Sequence, residues 1–192
     1  NLFCLANPEL EKRDARKLWD ALALAREGGL LAQEPAQSPL ARAAANYAAR
    51  KNMGQRYVDY ADLLDWWLAH ASTLPEHTRP QHVLVDEVQD ISSVQLAIVR
   101  ALLPASGNGF FGIGDPDQAI YGFRGARPAC MRQFVEEFGA KQILLRTNYR
   151  SHPDIVEASL TVIDENKDRF HKDLEPCEAH RRQAGGHKTD AG

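Results

Sequence analysis

From Gln81 onward, short apolar runs alternate with helix-like segments, strand then helix three times over, and this alternation restricts the fold more than any other feature. Val83 to Val85 reads as the first strand, and Ser92 or Ser93 caps a helix predicted from Val94 to Leu103, stopped by Pro104. Phe110 to Ile113 reads as the second strand, and Pro128 opens a helix running through Phe138 to Gly139. Gln142 to Leu145 is the expected third strand, followed by a helix to about Asp164 capped by Ser151 with Asp154. The pattern predicts an α/β fold, a parallel layer with right-handed crossovers.

The residues before this alternation read as helical. Asn7-Pro8 suits a helix start and Gly28-Gly29 its stop, with Leu18, Leu22 and Ala25 along one face. Ser38-Pro39 opens an Ala-rich helix that Gly54 closes, and Asp59 with Asp62 resembles a capping box ahead of a strongly apolar third helix. Adjacent helical residues cannot both line one face, so Trp66 and Trp67 read as packing rather than a binding platform. The expected organisation is a helical segment at 1–73, a sheet-bearing core at 74–146 after the Pro-bounded linker Leu74 to Pro80, and a last part at 147–192.

Composition narrows the functional classes. Cys4, Cys130 and Cys177 are widely spaced with no C-x-x-C, which argues against a disulfide framework or zinc cage and fits a reducing compartment. No apolar run reaches membrane-spanning length and no basic-apolar leader opens the chain, so a cytoplasmic protein with no membrane partner is expected. Asn1 stands where an initiating Met would, which suggests a fragment or a processed product. A net charge of −3 advertises no global basic field, so any nucleic-acid contact must be local and groove-like. Beyond Asn166 the chain is polar; Cys177, Glu178 and His180 read as part of a frayed tail rather than a metal site, since apolar anchors are nearly absent.

The chemistry gathers at strand ends, where open α/β sheets bind ligands. Val83 to Val85 runs into Asp86-Glu87-Val88-Gln89-Asp90. The second strand ends in Gly114-Asp115-Pro116-Asp117-Gln118-Ala119-Ile120-Tyr121-Gly122-Phe123-Arg124-Gly125-Ala126, and the third in Asn148-Tyr149-Arg150-Ser151. Adjacent carboxylates at a strand end diverge, so one of Asp86 and Glu87 can hold a hydrated Mg²⁺ while the other faces an attacking water. A metal carboxylate, a water-orienting carboxylate, an amide and an arginine on one rim suit phosphoryl transfer, and interleaved aromatics suit base stacking. Gln89 and Asp90 read as structural, bridging strand end to helix.

These clusters resemble the UvrD/Rep family of superfamily 1 DNA helicases: VDEVQD its motif II, GDPDQAIYGFRGA its motif III and NYRS its motif IV, with Tyr57 to Leu64 similar to the helix that leads into motif II. The resemblance implies a RecA-like P-loop NTPase sheet, incomplete here for want of the Walker A strand, with a helical N-terminal part. It implies that Asp86 binds the Mg²⁺ of Mg-ATP and that Glu87 is the general base. It further implies that Gln118 senses the γ-phosphate, Arg150 neutralises charge developing there, Tyr149 stacks on adenine, and Tyr121 and Phe123 stack between bases of single-stranded DNA. The parent activity implied is ATP-dependent 3′-to-5′ translocation on single strands and at duplex junctions, in DNA repair or recombination, with the remainder of the helicase polypeptide as partner.

Departures from the family pattern are equally visible. Gly122-Phe123 stands where Arg-Trp is commoner, and Ile91-Ser92 where Thr-Asn is usual. No G-x-x-x-x-G-K-[ST] loop occurs, and that loop supplies most of the nucleotide affinity. The economical expectation is a segment of a longer helicase, with little ATPase of its own and an unpaired sheet edge. Two other classes fit parts of the pattern: a non-catalytic DNA- or partner-binding module, and a nuclease holding two metals on Asp86, Glu87, Asp115 and Asp117.

Overall fold

The structure is a computed structural model describing residues 1–54, 56–104, 108–122, 129–166 and 172–177. The chain forms two compact units, Asn1–Ala140 and Lys141–Gly192. The first begins with helices α1 (Leu2–Ala6), α2 (Lys12–Glu27), α3 (Pro39–Lys51) and α4 (Tyr60–His70). Local chemistry sets three of these starts, the first by Asn1, whose Oδ1 accepts from the Phe3 N–H at 3.0 Å. The Ser38 hydroxyl accepts from the Ala41 N–H ahead of Pro39, and Asp59 and Asp62 form a reciprocal capping box on α4.

α2 departs from expectation. It starts at Lys12 after Glu11, which makes no side-chain cap, and Asn7 serves elsewhere. Asn7 is buried, and its amide donates to the carbonyls of Phe3 at 3.0 Å and Ala43 at 3.3 Å, tying α1 to α3. A buried amide needs partners for its polar atoms, and two backbone carbonyls satisfy it better than an exposed helix end. Beside it Phe3, Trp19 and Tyr47 meet edge to face, with ring centroids 5.3–5.7 Å apart, among Ala15, Leu22 and Ala43.

The rest of the first unit is a small parallel sheet with helices on one face. β1 (Val83–Val85) pairs with β2 (Phe110–Gly112) in the register Val83–Phe110, Leu84–Phe111 and Val85–Gly112. Between them runs α5 (Ser93–Leu102), begun by the capping box of Ser92 with Gln95, and after them α6 (Ala129–Phe138). Val83, Val85 and Phe110 pack on a core of Val88, Ile91, Leu96, Val99, Leu103 and Phe134, where Phe110 stacks on Phe134 at 4.4 Å. Strand alternation sends Leu84 and Phe111 to the opposite face, which is exposed. The pairing starts at Gly109, whose carbonyl accepts from the Val83 N–H at 2.8 Å. Its φ of +91°, and the 2.1 Å that would separate a Cβ there from the Gln81 carbonyl oxygen, leave room for glycine only.

In the second unit, residues 142–145 form neither strand nor helix, so the third strand expected there is absent. Ile143, Leu144 and Leu145 are all exposed; an apolar run specifies a buried strand only where a sheet covers it. Pairing occurs two residues later, where β3 (Thr147–Asn148) lies parallel to β4 (Glu175–Pro176). The frayed tail expected after Asn166 is therefore corrected at 172–177, where the Glu175 N–H donates to the Arg146 carbonyl and the Cys177 N–H to that of Asn148. Backbone pairing needs no apolar side chains, and Cys177 is buried. α7 (Pro153–Ile163) starts at Pro153 after His152 with no side-chain cap, so the Ser151–Asp154 start is not formed. The Ser151 N–H instead donates to Asn148 Oδ1 at 2.8 Å.

Candidate functional site

The sheet holds its chain ends in an asymmetric way. The Ile113 N–H donates to the Val85 carbonyl at 2.8 Å, and the Ile113 carbonyl accepts from the Val88 N–H at 3.0 Å. One residue of the second strand's exit therefore faces both sides of a gap, and Asp86 and Glu87 are extruded from the ladder between them. Glu87 makes the turn with φ +50° and ψ +47°, the one non-glycine at positive φ among the described residues. Such a backbone costs about 1–2 kcal/mol and persists where the surroundings over-determine it. Both carboxylates are exposed, and Asp86 Oδ1 accepts from the Glu87 N–H at 2.9 Å.

A single 3₁₀ turn, Val88–Asp90, carries the chain back into the core. Gln89 is 1% exposed, and its Nε2 donates to Glu87 Oε2 at 2.8 Å while its Oε1 accepts from the Asp115 N–H at 2.9 Å. The bridge expected from strand end to helix thus runs from one strand end to the other. Gly114 makes the approach feasible: a Cβ there would lie 2.4 Å from Gln89 Oε1. Burial pushes the Asp90 carboxyl above its ordinary range, and the neighbouring Glu87 charge adds to this.

Asp115 organises the second cluster. Its Oδ1 accepts from the Asp117 N–H at 3.0 Å, opening the turn Pro116–Gln118, and its Oδ2 accepts from Gln118 Nε2 at 2.9 Å. Tyr121 follows, 37% exposed, beside Ile120 at 70%. Phe123 lies outside the described residues. With the Asp115 carboxylate turned to its own loop, the arrangement of Asp86, Glu87, Asp115 and Asp117 around two metals does not form. Among the described residues no group of three or more His, Cys, Asp or Glu side chains is placed to hold a metal.

In the second unit Asn148 shapes the remaining cluster. Its Oδ1 accepts from the N–H groups of Arg150 and Ser151 at 2.9 and 2.8 Å, an Asx-type turn that leaves Tyr149 and Arg150 exposed.

Residues 8–139 match the family model described as the UvrD/REP helicase N-terminal domain. The chain belongs to that family. Among its relatives are the ATP-dependent DNA helicase srs2 of Schizosaccharomyces pombe, 39% identical over 118 residues, which are 60% of this chain and 13% of that protein. DNA helicase II of Salmonella typhimurium is 40% identical over 124 residues, 61% of this chain and 17% of that protein. The putative ATP-dependent DNA helicase YjcD of Bacillus subtilis is 37% identical over 120 residues, 62% and 14% respectively. The chain spans 13–17% of the length of these curated relatives.

Two features of this UvrD/REP-type domain lie beyond the sequence reading. Trp66 and Trp67, expected to be packed, are 58% and 41% exposed on α4, beside exposed Leu63 and Leu68. Charge also ties their helix to α2 and α3. Arg26 of α2 reaches Asp59, Asp62 and Asp65 at 2.7–3.0 Å, and Lys51 of α3 reaches Asp59 and Asp62 at 2.9 and 2.6 Å. Burial alone pushes Asp59 upward, but the hydrogen bonds from Lys51 and the Asp62 backbone, with the charges of Arg26 and Lys51, hold it down at about 2. Asp62 is lowered as well: its burial is outweighed by the hydrogen bond from Lys51, then by those from the Asp59 backbone and Arg26. Burial, then the Asp59 carboxylate, pushes the Tyr47 phenol up to about 12. The sequence carries a signal for this cluster in the capping-box spacing of Asp59 and Asp62, but their cationic partners are separated from them by 8 to 36 residues. Among the described residues, no helix is long and apolar enough to cross a membrane.

Proposed function

We propose that the chain is the part of an ATP-dependent DNA helicase that carries the water-activating and phosphate-sensing groups of a RecA-like motor domain, with the start of the second motor domain after it. The observation that carries this reading is the extrusion of Asp86 and Glu87 from the β1–β2 ladder, one hydrogen-bonded network away from Gln118. Relatives described as ATP-dependent DNA helicases support it. On this reading residues 1–73 are an insertion and lead-in helix, 74–146 the motor core, and 147–192 the beginning of its partner domain. Translocation would run 3′ to 5′ in a repair or recombination setting.

The residues present suit the chemistry. Asp86 is exposed, with Oδ1 engaged by the Glu87 N–H, and a hard carboxylate oxygen fits Mg²⁺, which takes one or two carboxylates and keeps several waters. Bound Mg²⁺ would supply charge neutralisation on the phosphates. Glu87 takes the proton of the attacking water as its oxygen bonds to the γ-phosphorus and the bond to the β–γ bridging oxygen breaks, giving ADP and phosphate. Gln118 reports the γ-phosphate to the segment that carries Tyr121 and Phe123, which stack on bases, a contact open to any sequence. Arg150 and Tyr149 serve the γ-phosphate and the adenine.

The test is ATP hydrolysis by the polypeptide that carries this segment, with and without single-stranded DNA. Glu87→Gln is expected to lower kcat by about 10²- to 10⁴-fold while ATP binding persists. An unchanged kcat overturns the assignment. The 192-residue chain alone, without a phosphate loop, is expected to hydrolyse little or no ATP; robust Mg-ATP turnover by it would count against this account.

A further inference from the structure

Gln89 is almost wholly enclosed, 1% exposed, directly beside the exposed carboxylate of Glu87. Its amide has two different jobs on its two ends. Nε2 must donate to the Glu87 carboxylate and Oε1 must accept the Asp115 N–H. A flipped amide would set oxygen against carboxylate and NH₂ against N–H, so only one orientation satisfies both contacts. Three hydrogen bonds join Glu87 to Gln118, at 2.8, 2.9 and 2.9 Å: Gln89 Nε2 to Glu87, the Asp115 backbone N–H to Gln89 Oε1, and Gln118 Nε2 to the carboxylate of that same Asp115. Gly114 is cut to this arrangement, since any side chain there would displace the Gln89 oxygen.

We propose that Gln89 is a positioning residue: it fixes the general base Glu87 and couples the orientation of that carboxylate to the Gln118 loop. This deepens, and rests on, the helicase reading above. Glu87 stands on a strained backbone, exposed, and the Gln89 amide is the side-chain donor that holds its carboxylate. Any movement of the Asp115–Gln118 loop pulls on the Gln89 oxygen, and therefore on the group that aims the water. Phosphate sensing at Gln118 and proton abstraction at Glu87 are thereby linked without contact between the two side chains.

The decisive variants are Gln89→Glu and Gln89→Met in the polypeptide that carries this segment. Gln89→Glu keeps an acceptor for the Asp115 N–H but sets a second carboxylate against Glu87. Gln89→Met keeps the volume and loses both links. Both are expected to lower kcat by about 10- to 100-fold, the range for a misplaced catalytic group, with KM for ATP within about twofold. In a Glu87→Gln background the same substitutions should change the residual kcat by less than about twofold, because their effect passes through Glu87. A merely structural glutamine gives losses that add in full, or a thermal midpoint that falls with kcat unchanged per folded molecule, and either result overturns the proposal. If the Gln89 variants do not fold, the 192-residue chain with Gln89 intact decides by NMR. Glu87→Gln should shift the Gln89 Nε2 protons and speed exchange of the Asp115 amide, and unmoved signals refute the link. Wild-type polypeptide with no DNA-stimulated hydrolysis would sink the helicase reading itself, and positioning with it. Active wild type with wild-type-like Gln89→Glu sinks positioning alone.

Discussion

Lys51→Met tests whether charge holds α4 in place. The Lys51 side chain is 8% exposed and donates to Asp59 and Asp62 at 2.9 and 2.6 Å. Methionine keeps most of the apolar stem and removes the ammonium, which also stands over the Tyr47 ring at 4.7 Å from its centroid. Two charge-assisted hydrogen bonds at ~1.5–3 kcal/mol each set an upper bound of ~3–6 kcal/mol. The carboxylates keep Arg26 and are 23% and 29% exposed, so water and the remaining cation recover part of this, leaving an expected loss of ~2 kcal/mol. In a chain of this size that lowers the thermal midpoint by ~4–8 °C. All three tryptophans, Trp19, Trp66 and Trp67, lie in the first unit, so their fluorescence follows that unit's unfolding. Asp59 is held near 2 when folded against an ordinary 3.8, so its stabilisation is complete above ~pH 4 and disappears as pH falls toward 2. The gap between Lys51→Met and wild type should accordingly narrow to under ~1 kcal/mol near pH 2.5. A loss below ~0.5 kcal/mol at pH 7, or a gap that does not change with pH, refutes the argument.

Other substitutions probe the frame around the carboxylates. Gly109→Ala should destabilise the first unit by ~2 kcal/mol or more in urea unfolding, because a Cβ would strike the Gln81 carbonyl at positive φ. Ser92→Ala, which breaks the capping box of α5, should cost ~1 kcal/mol in the same assay. Arg100→Ala, removing an ion pair with Glu137 whose side chains are 38% and 40% exposed, should cost less than ~1 kcal/mol and less still in high salt.

How much was legible follows from the range of each interaction. The strand Val83–Val85, the caps at Ser38, Asp59 and Ser92, and the glycine after α2 are written in windows of three or four residues, and all are present in the structure. The carboxylate pair at a strand end and the glutamine of the second cluster were visible as residue types at fixed spacing. Their hydrogen-bonded connection was not, because it depends on the register that brings Ile113 between Val85 and Val88. Local signals also misled where a tertiary partner decided otherwise. Asn7 resembles a helix cap but is drawn to a carbonyl 36 residues away, and residues 142–145 resemble a strand but Ile143, Leu144 and Leu145 are exposed.

The sequence by itself determined which residues could do chemistry and where helices and strands begin, since capping, turn geometry and apolar period are properties of neighbouring residues. Only the tertiary structure decided that Glu87 leaves the ladder on a left-handed turn, that buried Gln89 joins it to the second strand's exit, and that two cations hold α4 by its aspartates. Each of those depends on groups 8 to 36 residues apart, where burial and charge, not local propensity, select the partner.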